Sequence, residues 1–146
     1  MVAPTRVVGI FLVDSLGRVL LQERDEHAPI APEQWGIVGG HVDPGEEWQA
    51  ARDRELLEET GLALADGTLE LWYAGVVDHL EPGSSTDWRL YVGSAGELTD
   101  GDIVCGEGRR IVFVEPAVAR TLDLTASAAT SVPGFLDSPL YASMTR

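Results

Sequence analysis

The sequence predicts an α/β fold in which helices pack on the faces of a mixed β-sheet. Apolar, β-branched segments recur along the chain, and turns rich in Gly, Pro and Asp separate them, as is typical of strands. One longer segment has helical periodicity. The length of 146 residues and the hydrophobic fraction of 45% suit one compact domain with a sizeable core. We therefore expect residues 1–146 to form a single domain.

The strands are predicted from runs of β-branched and apolar residues. They are Thr5–Val13, Arg18–Glu23, Trp35–Val38, Thr68–Asp78, Trp88–Ser94 and Arg109–Val114. The turn Asp14–Gly17 joins the first two strands into a hairpin, and the loop Pro82–Ser85 separates the fourth strand from the fifth. Two shorter helices are expected later in the chain, at Glu115–Arg120 and Ala126–Leu136.

The best-defined helix is predicted to run from about Glu46 to Thr60. Gly61 follows it and suits a left-handed residue that ends the helix. At about 100° per residue, the side chains of Ala50, Leu56 and Leu57 share one arc of the helix surface. We expect this arc to pack on the sheet.

Three carboxylates lie on the opposite side of this helix. Glu55, Glu58 and Glu59 are spaced i, i+3 and i+4, so they are neighbours on one helical face. Unpaired like charges at that spacing destabilise a helix, which predicts a positive group among them. A hard divalent cation bound by carboxylate oxygens is the natural candidate. Arg54 precedes Glu58 by four residues and can pair with it.

The composition excludes several classes of function. The formal net charge of -14 argues against a nucleic-acid partner, because phosphate backbones bind to basic surfaces. It does not argue against a small phosphorylated ligand, since bound metal ions can supply positive charge. No apolar run is long enough to span a bilayer, and no secretory signal is recognisable. Cys105 is the only cysteine, so a reducing, cytoplasmic location is expected.

The segment Gly40–Leu62 carries a motif with fixed spacing. It reads Gly40-x5-Glu46-x7-Arg54-Glu55-Leu56-x-Glu58-Glu59-x-Gly61-Leu62. This spacing resembles the complete signature of the Nudix hydrolases, including the MutT-like members, at every specified position. The resemblance implies the Nudix fold, an α/β/α sandwich around a central mixed β-sheet. It also implies hydrolysis of a phosphoanhydride bond in a nucleoside diphosphate derivative, with Mg²⁺ or Mn²⁺.

The resemblance also implies roles for individual residues of the signature. Glu58 and Glu59 are expected to be primary metal ligands, and Glu55 either binds metal or takes the proton from the attacking water. Arg54 is expected to hold the glutamates in register. Outer-shell or structural roles fall to three further residues: Glu46, Gly40 and Gly61. The carbonyl of Gly39 is expected to be an additional oxygen ligand, and the absence of a side chain at Gly40 keeps that turn open.

Residues outside the signature complete the predicted site. The family often uses one more acidic residue from a loop, and Glu107 between two glycines is our choice, with Asp102 and Glu97 as alternatives. Arg24 ends a strand beside a long loop, where it can bind phosphate or simply be a surface residue. One of the strand aromatics, Trp72, Tyr73 or Trp88, could stack on a nucleobase.

The substrate is inferred by elimination. Relatives that hydrolyse ADP-ribose tend to have a proline about 16 residues after the signature, and relatives that cleave diadenosine polyphosphates tend to have a tyrosine there. The corresponding segment here is Val77–His79, which contains neither. A canonical or oxidised (d)NTP, cleaved to (d)NMP and pyrophosphate, is therefore the preferred substrate. The alternatives are a nucleotide sugar, ADP-ribose or dinucleotide pyrophosphatase, and a non-catalytic sensor of nucleotide derivatives. The resemblance also makes a homodimer possible.

Overall fold

The structure is a computed structural model that describes residues 3–81 and 83–145. Within these residues the chain forms one seven-stranded sheet. The strands are β1 Thr5–Asp14, β2 Val19–Glu23, β3 Trp35–Gly36, β4 Val38–His41, β5 Leu69–Glu81, β6 Ser84–Gly96 and β7 Arg110–Val114. The helices are α1 Trp48–Thr60, α2 Pro116–Ala119, α3 Ala126–Leu136 and α4 Pro139–Met144, with one 3₁₀ turn at Asp100–Asp102.

Strand β1 organises the sheet, because it pairs with three other strands. It runs parallel to β6 from Thr5 opposite Thr86 onward, and β6 pairs with β5 in an antiparallel hairpin. Its other edge pairs antiparallel with β4 and, at Val13, with β2. Strand β2 in turn pairs with β7 and β3. The sheet is therefore mixed, as predicted.

Two apolar cores lie on opposite faces of this sheet. One contains Phe11 and Trp88 from the strands together with Phe135 of α3 and Tyr141 of α4. The other contains alternate strand residues together with Ala51 and Leu56 of α1. Alternation of side chains along each strand supplies both cores at once. The result is the predicted α/β/α sandwich. No described helix is long and apolar enough to cross a membrane.

The positions of most elements were predicted correctly, and their ends differ for local reasons. Helix α3 matches its predicted bounds, and Gly61 ends α1 in the left-handed conformation (φ 75°) as expected. Helix α1 begins at Trp48 rather than Glu46, because Glu46 belongs to a turn in which its N–H donates to the carbonyl of Asp43. The segment Trp35–Val38 forms parts of two strands, which meet different partners.

The remaining differences arise from strand pairing and from one helix that we did not predict. Residues Ser84 and Ser85 of the predicted loop are already in β6, because that strand pairs with β5 close to the turn; Pro82 lies outside the described residues. Helix α4 was not predicted. Its sequence contains a usable start signal, since the side chain of Ser138 accepts a hydrogen bond from the N–H of Tyr141 and Pro139 is the first helical residue.

The predicted orientation of α1 was wrong in part. Ala50 is exposed and Leu57 is 53% exposed, whereas Ala51 and Leu56 are buried. Glu59, which we expected on the face away from the sheet, is only 3% exposed. Helical periodicity gives the angles between side chains but not the rotation of the helix on the sheet. That rotation brings Glu59 inward towards β4.

Candidate active site

Gly39 and Gly40, which were expected in a turn, belong to strand β4 and lie directly against α1. The N–H of Gly39 donates to the Glu59 carboxylate over 2.9 Å. Gly39 has φ +147°, and a Cβ there would lie 2.0 Å from the backbone carbonyl oxygen of Val8. A Cβ on Gly40 would lie 2.6 Å from the carboxyl carbon of Glu55. The two glycines therefore allow the glutamates of α1 to approach the backbone of β4 closely.

A loop before β7 holds the other end of α1. The N–H of Val104 donates to the carbonyl of Thr60 over 2.9 Å, and the N–H of Gly106 donates to the carbonyl of Glu59 over 2.8 Å. A Cβ on Gly106 would lie 2.0 Å from the carbonyl oxygen of Glu58, so only glycine fits there without a rearrangement. This contact places the carboxyl group of the next residue, Glu107, beside Glu59.

Arg54 gathers three carboxylates of the signature. Its Nε and one terminal nitrogen bind the two oxygens of Glu46 at 2.8 and 2.9 Å, and its other terminal nitrogen donates to Glu55 at 3.0 Å and Glu58 at 3.2 Å. It also donates to the carbonyl of His41. The hydrogen bond from Arg54 lowers the pKa of Glu46 to about 2. The side chain therefore has the geometry expected of a positioning residue.

Glu59 and Glu55 have the opposite electrostatic environment. Burial first, and then the neighbouring carboxyl groups of Glu107 and Glu55, raise the pKa of Glu59 to about 8, against the hydrogen bond from Gly39. Burial also raises the pKa of Glu55, while Arg54 opposes that shift. The protonated form of Glu59 is further favoured by a hydrogen bond with the carboxyl group of Glu107.

The donor chemistry of the cluster fits a hard divalent cation. The groups are all oxygen donors, and the carboxyl groups of Glu107 and Glu55 lie beside the buried carboxyl group of Glu59, where a cation would offset both the burial and the like charge that raise its pKa. Glu58, whose side chain is 58% exposed, is turned towards Arg54. Within residues 3–81 and 83–145, no three side chains of Asp, Glu, His or Cys already surround one point where a metal ion could bind. Binding would therefore require side-chain rotation.

Arg24 lies between two cavities beside this cluster. A smaller one of about 210 Å³ is lined by Arg24, Glu107 and Gln22 among others. A larger one of about 320 Å³ is lined by residues from β4 (Gly39–His41), from β6 (Thr86 and Trp88) and from the start of α3 (Thr125–Ser127). We call it the Trp88 cavity. Arg24 lines both, although its Nε donates to the carbonyl of Ile30.

The structure brings most of the predicted site residues together. Glu59 adjoins Gly39 and Glu107, and Arg54 links the other three glutamates of the signature. Asp102 is used locally, since its carboxylate accepts a hydrogen bond from the N–H of Thr99 and caps the 3₁₀ turn. Glu97 is exposed. Sequence reasoning missed Gln22, whose amide donates to the carbonyl of Glu107, because the sequence does not show which loop that amide meets. Trp72 packs edge-on against Phe11 and Phe135, and only Trp88 of the three candidate aromatics lines the larger cavity.

Comparisons with known proteins give a consistent family assignment. Over 67 residues the chain is 42% identical to an RNA pyrophosphohydrolase of Caulobacter vibrioides, covering 44% of this chain and 38% of that protein. Over 60 residues it is 43% identical to the m7GpppN-mRNA hydrolase NUDT17 of Bos taurus, covering 41% of this chain and 20% of that protein. The chain thus spans well under half the length of these relatives.

Solved structures extend the likeness to nearly the whole chain. A MutT protein from Methanosarcina mazei Go1 has a TM-score of 0.71 at 19% identity and covers 94% of this chain and 99% of its own. The NUDIX domain of Shewanella oneidensis NrtR has a TM-score of 0.73 at 16% identity, covering 91% of this chain and 86% of its own. At sequence identities this low, the likeness shows only that the folds are the same. The family model of the NUDIX domain matches residues 3–130, and the chain therefore belongs to the NUDIX domain family.

Proposed function

We propose that this chain hydrolyses a phosphoanhydride bond in a nucleoside diphosphate derivative with the help of a divalent metal ion. One observation carries the proposal. The carboxyl group of Glu59 accepts a hydrogen bond from Gly39 of β4 and lies beside Glu107 and Glu55, and burial, with these neighbouring carboxyl groups, raises its pKa to about 8. A cluster of this kind is too negative for phosphate unless cations occupy it.

The residues that would hold Mg²⁺ or Mn²⁺ are those that the signature assigns. Glu58 and Glu59 would provide carboxylate oxygens, Glu107 would add one from its loop, and Gly39 would contribute its carbonyl oxygen. Glu55 would either be a further ligand or take the proton of the attacking water. When bound, such ions neutralise phosphate oxygens and lower the pKa of water at the site. Arg54 keeps three of the glutamates on one side of the cluster, while Glu59 is held by the N–H of Gly39 beside Glu107.

Glu55 is the residue of this chain best placed to move a proton. Its carboxylate is half-buried and lies against Gly40, and burial raises its pKa. A carboxylate whose pKa is raised towards the working pH is a better acceptor for a proton of the attacking water. Arg54 limits this rise and holds the carboxylate in one orientation. We therefore assign the role of general base to Glu55.

The preferred substrate is a free (d)NTP, canonical or oxidised, cleaved to (d)NMP and pyrophosphate. Its support is the net charge of -14, which disfavours a long polyanionic partner, and the absence of the proline and tyrosine features discussed above. A second candidate is the 5′ end of an RNA. It is favoured by the names of the two relatives described above, an RNA pyrophosphohydrolase and an mRNA cap hydrolase.

The decisive experiment uses Glu58→Gln beside Glu70→Gln. Glu70 is an exposed carboxylate on β5, outside the site, so its substitution matches the change in charge. Each protein is incubated with Mg²⁺ and a panel of (d)NTPs, a short 5′-triphosphorylated RNA, sugar nucleotides, ADP-ribose and dinucleotides, and the products are separated. We expect Glu58→Gln to lose about 100-fold in turnover and Glu70→Gln to keep it.

The panel also tests the alternatives. Turnover of the RNA but not of free (d)NTPs would select the second candidate. Near wild-type turnover by Glu58→Gln would refute the assigned role of Glu58. If the wild-type protein cleaves no compound but binds one tightly, the chain is a sensor and the hydrolase proposal is wrong. Homodimerisation and cytoplasmic location stay predictions; sedimentation velocity measures the first, and cell fractionation the second.

A further inference from the structure

Gln22 is a buried polar residue at the end of an apolar segment of β2. Its exposed fraction is 3%, and residues 19–21, which precede it in the strand, are all buried and apolar. Side chains alternate along a strand, so Gln22 lies on the same face of the sheet as Leu20, which belongs to the core that contacts α1. An apolar residue would pack there without the cost of removing an amide from water. The glutamine therefore points to a specific polar contact.

The amide of Gln22 is paired with the loop that carries Glu107. Its Nε2 donates to the backbone carbonyl of Glu107 over 2.8 Å. The two residues are 85 positions apart in the sequence, so this hydrogen bond joins the sheet to a distant loop. The thiol of Cys105, in the same loop, donates to the same carbonyl over 3.2 Å. Because a thiol is a weak donor, Gln22 provides the stronger of these two bonds.

Gly108 permits the loop to approach β2 this closely. It has φ +84°, and a Cβ there would lie 2.8 Å from the carbonyl oxygen of Glu23 and 3.2 Å from the amide nitrogen of Gln22. The N–H of Arg109 then donates to the carbonyl of Glu23 over 2.8 Å. The residues after Glu107 are thus held on β2, as the residues before it are held on the end of α1.

These contacts matter because Glu107 itself is exposed and lies between two glycines, Gly106 and Gly108. Glycine restricts the backbone least of all residues, so the local sequence does not fix the direction of the Glu107 side chain. Its carboxyl group nevertheless lies beside that of Glu59, with which it shares a hydrogen bond. Two carboxylates repel each other when both are ionised, so the backbone of the loop must hold Glu107 in this place.

We propose that Gln22 is a positioning residue for metal binding: by holding the peptide group of Glu107, it directs the Glu107 carboxylate towards Glu59, so that both can bind a cation. This inference rests on the proposed function, because it requires that these carboxylates bind Mg²⁺ or Mn²⁺. Gln22 contacts neither the metal nor the substrate. Removal of a residue that orients a metal ligand commonly weakens metal binding about 10- to 100-fold.

The first test measures metal binding without turnover. Gln22→Met keeps a long, unbranched side chain but cannot donate a hydrogen bond. Gln49→Met is the matched control, since Gln49 is exposed on α1. Each protein is freed of metal with a chelator, dialysed and titrated with Mn²⁺, and the free ion is measured by EPR. We expect Gln22→Met to raise the Mn²⁺ concentration at half-saturation about 10- to 100-fold and Gln49→Met to leave it unchanged.

A double-mutant cycle distinguishes the positioning of Glu107 from general damage to the site. Glu107→Gln removes the proposed ligand, and a double variant combines it with Gln22→Met. If Gln22 acts through the Glu107 carboxylate, Gln22→Met should weaken Mn²⁺ binding by less than about 2-fold in the Glu107→Gln background. A merely structural role would produce the same loss in both backgrounds. Gln22→Met should unfold within about 5 °C of wild type, because it exchanges one hydrogen bond for a buried apolar group.

Amide hydrogen exchange of the metal-free protein tests the position of the loop directly. The N–H of Gly106 is bonded to the carbonyl of Glu59, so its exchange reports how often the loop opens. Gln22→Met should speed this exchange about 5- to 10-fold, since it removes one hydrogen bond that the closed loop makes. The N–H of Ala129 in α3, bonded to the carbonyl of Thr125, should exchange at the same rate in both proteins.

The outcomes separate this inference from the hydrolase proposal. It is overturned if Gln22→Met binds Mn²⁺ as tightly as wild type, if the loss is equally large in the Glu107→Gln background, or if the exchange of the Gly106 N–H is unchanged. Any of these results leaves the hydrolase proposal intact, because wild type still binds the metal. If wild type itself binds no Mn²⁺, the proposed function fails, and the role of Gln22 in metal binding fails with it.

Discussion

The buried carboxyl group of Glu59 should make the stability of the metal-free protein depend on pH. Its pKa is raised to about 8 in the folded protein, from an ordinary value of 4.5. Between these two pH values the folded protein holds a proton that the unfolded chain releases. The free energy of unfolding must therefore fall as the pH rises. Replacement of Glu59 by Gln, which has the same shape and cannot ionise, should remove this dependence.

The size of the effect follows from the same pKa. Each pH unit within the window removes about 1.4 kcal/mol. From pH 4.5 to pH 7, ionisation in the unfolded chain should therefore lower the stability of wild type by about 3 kcal/mol relative to Glu59→Gln. Below pH 4.5 the two proteins should share one pH dependence, because Glu59 is protonated in both states. The loss should level off above about pH 8.

Urea unfolding in EDTA, followed by tryptophan fluorescence at pH 4.5, 5.5, 6.5 and 7.5, measures the difference directly. Glu70→Gln is the control, because it removes an exposed carboxylate elsewhere on the sheet. The stability gap between Glu59→Gln and wild type should widen steadily over this range, while the gap for Glu70→Gln stays constant. A gap for Glu59→Gln that is also constant within about 0.5 kcal/mol would refute our account of its environment.

Three further variants probe the backbone and the arginine of the site, and a fourth, in α3, is a control. Gly40→Ala should reduce Mg²⁺-dependent turnover about 10- to 100-fold, because the new Cβ displaces the carboxylate of Glu55. It should change the free energy of unfolding by less than about 1 kcal/mol, because that carboxylate is the end of a flexible side chain. Initial rates measure the first effect and urea melts the second. Gly39→Ala should lower the free energy of unfolding by more than about 3 kcal/mol, because the new Cβ meets the backbone of β1. Gly134→Ala should raise it by about 0.5–1 kcal/mol, because no atom lies within 4 Å of the new Cβ and alanine favours the helix. Arg54→Lys should lower turnover about 10- to 100-fold with an unchanged circular dichroism spectrum, because lysine cannot form the bidentate contact.

The sequence was sufficient for features that depend on local chemistry. Helix α3 follows the capping threonine Thr125 and has the predicted bounds, and Gly61 adopts the left-handed conformation that ends α1. The spacing of Arg54 and Glu58 predicted their ion pair, which measures 3.2 Å. Each of these features involves residues that are close in the chain, so short-range rules apply.

Features that depend on tertiary contacts could not be predicted from these short-range rules. The closeness of Glu107 to Glu59 depends on a hydrogen bond from the N–H of Gly106 to the end of α1, across 47 positions of the sequence. Spacing and glycine content made Glu107 a candidate, but they could not distinguish it from Asp102, which caps a 3₁₀ turn instead. Gln22 becomes notable only once its buried amide is known to bind the carbonyl of Glu107.

The rotation of α1 on the sheet, which the helical periodicity did not predict, is related to the proposed function. A helix that packed only for stability would bury Leu57 and expose Glu59, since burial of a leucine contributes about 1.5–3 kcal/mol and burial of an ionisable carboxylate is unfavourable. The structure does the reverse, with Leu57 53% exposed and Glu59 3% exposed. Gly39 and Gly40 make this orientation possible, because any side chain there would clash with the strand or with Glu55. A departure from hydrophobic patterning that is supported by two such glycines is better explained by a requirement for buried carboxylates than by packing.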